Sequence, residues 1–297
     1  SSDVCSSDLN NTKSLPLIVA FAIIFSLCTL TFLWRLGSIG LIDETEPLFA
    51  EAARQMVETG NWITPYFNGE TRFDKPPLIY WLMAMGYQVL GVNEWAVRLP
   101  SALSAMGLTG FVFFVLYRFG VSPFKGTTDE VQRHWASLIG AVTLALTPEF
   151  IIWARTGVSD LLLTGCMGSA LLCFFMGYVD SEQETPPPFL SFRKPSNWYI
   201  AFYIFTALAV LAKGPVGLVL PGLIIIGFLL YQGNLWLVFR EMQVMSGLVI
   251  FLILTVPWYV LVILENGQNY IDSFFGYHNF QRFTDVVNDH DAPWYFY

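Results

Sequence analysis

Long apolar runs separated by short polar segments occupy most of the chain, and their lengths match those of membrane-spanning helices. A span needs roughly 17–25 mostly apolar residues. Seven runs are predicted to cross the membrane: Leu15–Trp34, Leu99–Tyr117, Ala136–Trp153, Leu161–Val179, Trp198–Ala212, Val216–Tyr231 and Val244–Leu264. The fifth and sixth are short, and Lys213-Gly214-Pro215 between them predicts a tight turn that joins two helices.

An eighth run, Pro76–Gly91, is shorter and rich in aromatic residues, which favour the membrane interface. If this run crossed the membrane, Asp43 in the loop before it would lie on the opposite side from Asp160. If it lies along the surface, these acids and the other polar motifs of the chain share one face. We therefore predict an interfacial helix at this position.

Composition supports a membrane protein. Of the 297 residues, 55% are hydrophobic and 13% are charged, and the mean hydropathy is +0.53. A soluble domain carries roughly a quarter charged residues. The net charge of −8 argues against nucleic acid as a partner, because phosphate backbones are bound by basic surfaces. Basic residues in the short loops of the face opposite the polar motifs place that face in the cytosol and the motifs outside.

The two ends of the chain differ from the rest. Ser1–Leu9 repeats Ser-Ser-Asp and lacks the basic region of a signal peptide, so it is expected to be a non-native remnant. The last residues stop inside an aromatic segment. We expect residues 10–297 to form one transmembrane module whose C-terminal spans are missing.

The loop after the first run carries the most informative polar residues. Asp43 and Glu44 follow that run directly, and carboxylates so close to hydrocarbon need water, a cation or a partner. They could also simply begin an acidic helix over Pro47–Thr59. Lys75 precedes two prolines that fix its backbone, which makes it a candidate phosphate ligand. The alternative is a lysine that extends to the interface.

Further charged residues lie at the predicted ends of later spans. Arg155 and Asp160 bracket a short exterior loop and could bind substrate or simply pair with each other. Lys213 is a lone cation between two apolar runs, and a membrane-edge anchor is the alternative. His278 and Arg282 follow the last run. No His, Cys or carboxylate spacing typical of a metal site is visible, and no metal is expected.

Carboxylates and cations on one aqueous face, above a membrane pocket, suit transfer of a sugar from a lipid phosphate. Cations offset charge on the departing phosphate. A carboxylate orients or deprotonates the attacking hydroxyl.

A series of short motifs in the chain resembles bacterial members of the protein mannosyltransferase and aminoarabinose transferase group. The similarity covers nearly all of residues 15–297. It rests on DETEPLFAEAAR from Asp43, GNWITP from Gly60, DKPPL from Asp74, NEWAVRLPS from Asn93, KGPV from Lys213, PWY from Pro257 and HNFQRF from His278.

This resemblance implies a fold class: an all-α polytopic membrane protein with a GT-C glycosyltransferase module and interfacial helices in its first exterior loop. It also implies a polyprenyl-phosphate sugar donor and no cofactor or divalent metal. The expected catalytic residues are Asp43, Glu44 and Asp160. The expected substrate-binding residues are Arg54, Lys75, Tyr80, Arg155, Lys213, His278 and Arg282.

The function predicted is glycosyl transfer to a lipid of the lipid A type, a glycan or a protein, at the periplasmic face of a bacterial inner membrane. Glu46 stands where aminoarabinose transferases tend to carry arginine, which weakens the case for a lipid A phosphate acceptor. The alternatives are a protein O-mannosyltransferase-like enzyme, an inactive scaffold, and a transporter or flippase. A transporter is disfavoured because the charges cluster at one membrane edge and no internal repeat is visible.

Overall fold

The structure is a computed structural model, and it describes residues 17–42, 45–120, 130–180, 195–274 and 276. The described part is almost entirely helical. Its helices are α1 (Leu17–Cys28, extended by a π-helical turn, Thr29–Leu33), α2 (Glu46–Thr59), α3 (Leu78–Leu90), α4 (Glu94–Phe119), α5 (Glu130–Ala145), α6 (Pro148–Ala154), α7 (Ser159–Asp180), α8 (Asn197–Lys213), α9 (Val216–Gln232), α10 (Leu235–Glu241), α11 (Val244–Asn266) and α12 (Gln268–Tyr270).

The long apolar helices agree with the predicted spans. Among the described residues, α4, α7 and α11 are each long and apolar enough to cross a membrane. Helix α1 with its π turn, α8 and α9 are shorter apolar helices at positions where spans are predicted. The chain is therefore an all-α, multi-pass membrane protein. The count of seven spans stays a prediction.

The predicted span Ala136–Trp153 is not one continuous helix. Helices α5 and α6 are bent by 62° at a short break between them. Thr147 has extended backbone angles (φ −62°, ψ 122°), as expected for a residue before proline, and Pro148 begins the next helix. The stretch is therefore a broken span or a re-entrant element.

The predicted turn between α8 and α9 is confirmed. Gly214 ends α8 with φ +92°, a conformation that side-chain-bearing residues rarely adopt. Pro215 then precedes α9. The two helices approach closely, since a Cβ at Gly217 would lie 2.4 Å from the Ala209 carbonyl carbon.

The segment predicted to be the first exterior loop contains α2, a short hairpin and α3. Helix α3 has 13 residues and is about 20 Å long, too short to cross a hydrocarbon core of about 30 Å alone. The hairpin pairs Tyr66–Phe67 with Glu70–Thr71, and the sequence analysis did not predict it. Its turn residues Asn68 and Gly69 have positive φ, and Asn-Gly is a strong hairpin signal.

Apolar packing holds this loop against the ends of the long helices. Phe49 of α2 and Tyr80 of α3 belong to the same buried cluster as Leu162 of α7 and Ala212 of α8. A second contact joins the loop to α11, where the Trp258 indole donates to the Ile63 carbonyl over 3.1 Å. The loop is therefore seated directly above the helix ends that carry Asp160 and Lys213.

Candidate functional site

The two first-loop acids predicted to be catalytic, Asp43 and Glu44, lie outside the described residues. So do His278 and Arg282. The structure describes the segments that flank Asp43 and Glu44, and both flanking segments contact other described parts of the fold.

Glu46 anchors the chain just after these acids. It is 2% exposed and forms a two-point ion pair with Arg98, which is 7% exposed. The Arg98 Nε donates to Glu46 Oε1 and Nη2 donates to Oε2, each over 3.0 Å. Such parallel bonds are the strong form of a carboxylate–guanidinium contact. The pair thus fixes the start of α2 to the start of α4.

Arg98 also anchors the chain just before the acids. Its Nη1 donates to the carbonyls of Leu36 (2.9 Å) and Ile39 (2.8 Å), and its Nη2 donates to that of Gly40 (3.0 Å). The segment that carries Asp43 and Glu44 is therefore held on either side by one buried guanidinium.

The second exterior loop meets the first at the same point. The Gly157 backbone N–H donates to Glu46 Oε1 over 2.6 Å. Helix α7 begins two residues later, and Asp160 lies in its first turn. The loop that supplies Asp43 and the loop that supplies Asp160 are thus in direct contact, on one side of the helix bundle.

Asp160 forms an ion pair with Lys213 at the end of α8. Their side chains are 42% and 31% exposed, respectively, so the pair is open to solvent. The alternative pairing of Asp160 with Arg155 is not the one that forms. Lys213 thus contacts a predicted catalytic acid, and its own role in substrate binding stays a prediction.

Arg155 contacts the backbone at the end of the first predicted span. Its Nη1 donates to the Thr31 carbonyl over 3.1 Å, at the end of the first span. Burial, and then the positive charge of Arg98, lower the pKa of Arg155. The guanidinium joins the second exterior loop to the π turn, and its predicted role in substrate binding stays a prediction.

Lys75 lies in a small charged cluster. Its Nζ donates to Asp74 Oδ1 over 2.8 Å, while the Arg72 Nη2 donates to Asp74 Oδ2 over 2.7 Å. The Arg72 guanidinium also lies over the Phe49 ring, 5.6 Å from its centroid. One carboxylate therefore pairs with two cations.

Tyr80 lies beneath this cluster rather than beside an open site. Its side chain is fully buried and its ring stacks on Phe49, with centroids 5.4 Å apart. Burial raises the pKa of Tyr80 well above its usual value. In this geometry the Tyr80 ring packs against Phe49, and the predicted role of Tyr80 in substrate binding stays a prediction.

Arg54 is on another face of α2. It pairs with Glu51 over 2.7 Å and also with Glu58, and its hydrogen bond lowers the pKa of Glu51. This face borders a cavity of about 470 Å³. The lining comprises Leu41, Pro47, Ala50, Glu51, Arg54, Phe67, Asn68, Tyr87, Val92, Asn93, Glu94 and Val97.

Sequence analysis did not identify three residues that contribute contacts to the candidate site: Glu46, Arg98 and Arg72. Glu46 was noted only as a departure from the family pattern. Arg98 precedes a predicted span, and a charge in that position is a signal for a specific partner.

Comparisons with known proteins show the family and the fold of the chain. The sequence profile of the family described as dolichyl-phosphate-mannose-protein mannosyltransferase matches residues 74–261. An uncharacterized protein of Aquifex aeolicus is 31% identical over 88% of the chain and 52% of its own length. The undecaprenyl phosphate-alpha-4-amino-4-deoxy-L-arabinose arabinosyl transferase of Shewanella sediminis is 29% identical over 89% of the chain and 44% of its own length.

A solved structure has the same fold. The crystal structure of ArnT from Cupriavidus metallidurans bound to undecaprenyl phosphate superimposes with a TM-score of 0.72 and 26% identity, over 89% of the chain and 44% of ArnT. The chain spans about half the length of the curated relatives that it matches. This likeness confirms the predicted GT-C type of membrane fold. Since the family profile covers well over half of the 297 residues, the chain belongs to the dolichyl-phosphate-mannose-protein mannosyltransferase family.

Proposed function

We propose that the complete protein transfers a sugar from a polyprenyl-phosphate donor to an acceptor at the periplasmic face of a bacterial inner membrane. The observation that carries the proposal is the contact of Glu46 with Gly157, which joins the first exterior loop to the loop of the Asp160–Lys213 pair. Relatives named as undecaprenyl phosphate aminoarabinose transferases support the donor class.

The reaction is a displacement at the sugar carbon attached to phosphate. The bond to the phosphate oxygen breaks as the acceptor oxygen bonds to that carbon, and polyprenyl phosphate leaves. Asp43 accepts the proton of the acceptor hydroxyl, as a general base. Asp160, held by Lys213, orders the groups around the reacting carbon, and Glu44 accompanies Asp43.

The donor phosphate is assigned to the Arg72–Asp74–Lys75 cluster. Two cations held by one carboxylate offset the charge that develops on the leaving phosphate. Arg282 and His278 are expected to add to this site from the segment after α11. The polyprenyl tail lies along apolar helix faces within the membrane.

The acceptor is assigned to the cavity beside α2. Leu41 and Pro47, which flank Asp43 in sequence, line this cavity, and this supports the assignment of the acceptor to it. Glu51 is ionised and its partner Arg54 is also paired with Glu58, so the cavity suits neutral hydroxyl groups better than a second phosphate.

Glu51→Gln is expected to raise the KM for the acceptor by about 3- to 10-fold, because a hydrogen bond to a charged group contributes roughly 1.5–3 kcal/mol when buried and less when part-exposed. Glu58→Gln is the matched control. Glu58 pairs with the same arginine but does not line the cavity, and its variant should keep the KM within about twofold of wild type. Equal KM values in the two variants would place the acceptor elsewhere.

The test of the proposed function is donor consumption. The complete protein in lipid nanodiscs, supplied with radiolabelled undecaprenyl-phosphate sugars and an envelope lipid extract, should release undecaprenyl phosphate and label an acceptor. Movement of the donor across sealed vesicles without any cleavage would instead favour a flippase.

No divalent metal is proposed to take part. The rate of transfer should therefore be unchanged within about twofold after EDTA treatment, since cations of the protein fill the role that a metal would otherwise take. A loss of activity that added Mg²⁺ or Mn²⁺ restores would contradict this.

A protein O-mannosyltransferase-like activity is the second candidate, favoured by the description of the matching family. It predicts that polyprenyl-phosphate mannose is consumed and that label appears on a peptide instead of a lipid. Donor and acceptor profiling in the nanodisc assay separates the two candidates.

A further inference from the structure

We propose that Glu46 and Arg98 form a positioning unit that fixes the segments flanking Asp43 against the loop before the Asp160–Lys213 pair, and that neither residue binds substrate. The inference rests on the proposed function. It starts from the position of this buried ion pair, where three separate stretches of chain meet.

The bonds of Arg98 leave nothing for a ligand. A guanidinium has five N–H donors. In Arg98, two go to Glu46 and one each to the carbonyls of Leu36, Ile39 and Gly40. Because all its donors are used inside the protein, Arg98 holds backbone and does not act as a phosphate ligand.

Gly40, Glu46 and Gly157, which anchor the chain, lie at equal sequence distances from the acids Asp43 and Asp160. Asp43 lies three residues after Gly40 and three before Glu46, and Asp160 lies three residues after Gly157. Three residues of extended chain span at most about 11 Å. The Glu46–Arg98 pair and the Gly157 contact therefore fix the chain at points three residues away from each acid.

Charge at this junction depends on Glu46. The positive charge of Arg98 contributes to the lowered pKa of Arg155, so these two guanidiniums repel each other, and Glu46 is the carboxylate that pairs with Arg98. Removal of the Glu46 charge would leave them opposed in a poorly solvated place. The backbone anchored by Arg98 would then shift, and Asp43 with it.

The hydrogen bonds around the ion pair determine which of its two positions must carry the carboxylate and which the guanidinium. Arg98 faces three backbone carbonyls, and Glu46 faces the Gly157 N–H. A reversed pair, Glu46→Arg with Arg98→Glu, would set a carboxylate against carbonyls and a guanidinium against an N–H. Charge reversal should therefore fail to restore activity, whereas a simple ion pair would be rescued by it.

Gly157 offers a probe that changes no charge. A Cβ at this position would lie 2.4 Å from Val97 Cγ1 and 3.4 Å from Glu46 Oε1. Gly157→Ala is thus a small wedge between the two exterior loops. Gly110→Ala is the matched control, because a Cβ there meets nothing within 4 Å.

The experiment compares steady-state transfer by the complete protein in nanodiscs for wild type, Glu46→Gln, Gly157→Ala, Gly110→Ala and the reversed pair. A misplacement of about 1 Å can cost about 100-fold in rate. We expect kcat to fall about 10- to 100-fold in Glu46→Gln and Gly157→Ala, with donor KM within about twofold of wild type. Gly110→Ala should match wild type.

Wild-type kcat in folded Glu46→Gln, or full activity of the reversed pair, would overturn the positioning role. If the Glu46→Gln variant fails to accumulate, the Gly157→Ala variant provides the test. A wild-type kcat in Gly157→Ala would also overturn the positioning role. A wild-type protein that consumes no polyprenyl-phosphate sugar would instead reject the proposed function, so the two failures are distinguishable.

Discussion

Asp43→Asn is expected to lower the rate of sugar transfer by about 10³-fold, within the range found for loss of a general base. Asparagine has nearly the same shape as aspartate but cannot accept the proton of the acceptor hydroxyl. The anchors at Gly40 and Glu46 do not involve the Asp43 side chain, so the fold around it should persist. Release of undecaprenyl phosphate by purified protein measures the effect.

The matched control is Asp272→Asn. Asp272 is an exposed acid just beyond α11 that accepts a hydrogen bond from Gln268, outside the proposed site. It should keep the wild-type rate within about twofold, since surface substitutions rarely change stability by more than about 0.5 kcal/mol. Wild-type turnover by Asp43→Asn would remove Asp43 from its proposed role.

The second large effect is expected at the Asp160–Lys213 pair. Lys213→Met and Asp160→Asn should each lower kcat by about 100-fold, as misplacement of reacting groups does. The double variant should be no slower than the slower single one, because residues that act as a unit give non-additive effects. Melting temperatures should change little, since exposed ion pairs contribute little to stability.

Arg118→Met is the control for this pair. Arg118 and Asp180 form an ion pair over 3.0 Å, with 43% and 36% of their side chains exposed. They lie at the C-terminal ends of α4 and α7, whereas Asp160 lies in the first turn of α7. Exposure is thus comparable, but the pair lies at the other end of the bundle. Equal losses in Arg118→Met and Lys213→Met, or strictly additive losses in the double variant, would show that the Asp160–Lys213 pair has no special role.

Much of the helix layout could be predicted from hydrophobic runs. The turn at Gly214 also followed from local chemistry, since Gly and Pro together restrict the backbone. The bend near Thr147 was missed because apolar residues continue through it, and Pro148 by itself is also compatible with the first turn of a helix.

The candidate site was predicted in part. The surface-helix interpretation of Pro76–Gly91 implied that the first and second exterior loops share a face, which agrees with the contact between Glu46 and Gly157. The partner of Glu46 could not be predicted, because Arg98 is 52 residues away in sequence and only tertiary packing brings the two together. Periodicity identifies buried faces but not which charges pair across them.

The measurement that tests the account most directly is the sidedness of positions 43 and 160. Single cysteines at these positions, in a protein whose own four cysteines (Cys5, Cys28, Cys166 and Cys173) are replaced by alanine, can be labelled with a membrane-impermeant maleimide in intact spheroplasts. The account predicts that the two positions label from the periplasmic side. Labelling of one from the periplasm and of the other only in inverted vesicles would contradict it, because the acids could then never share a site.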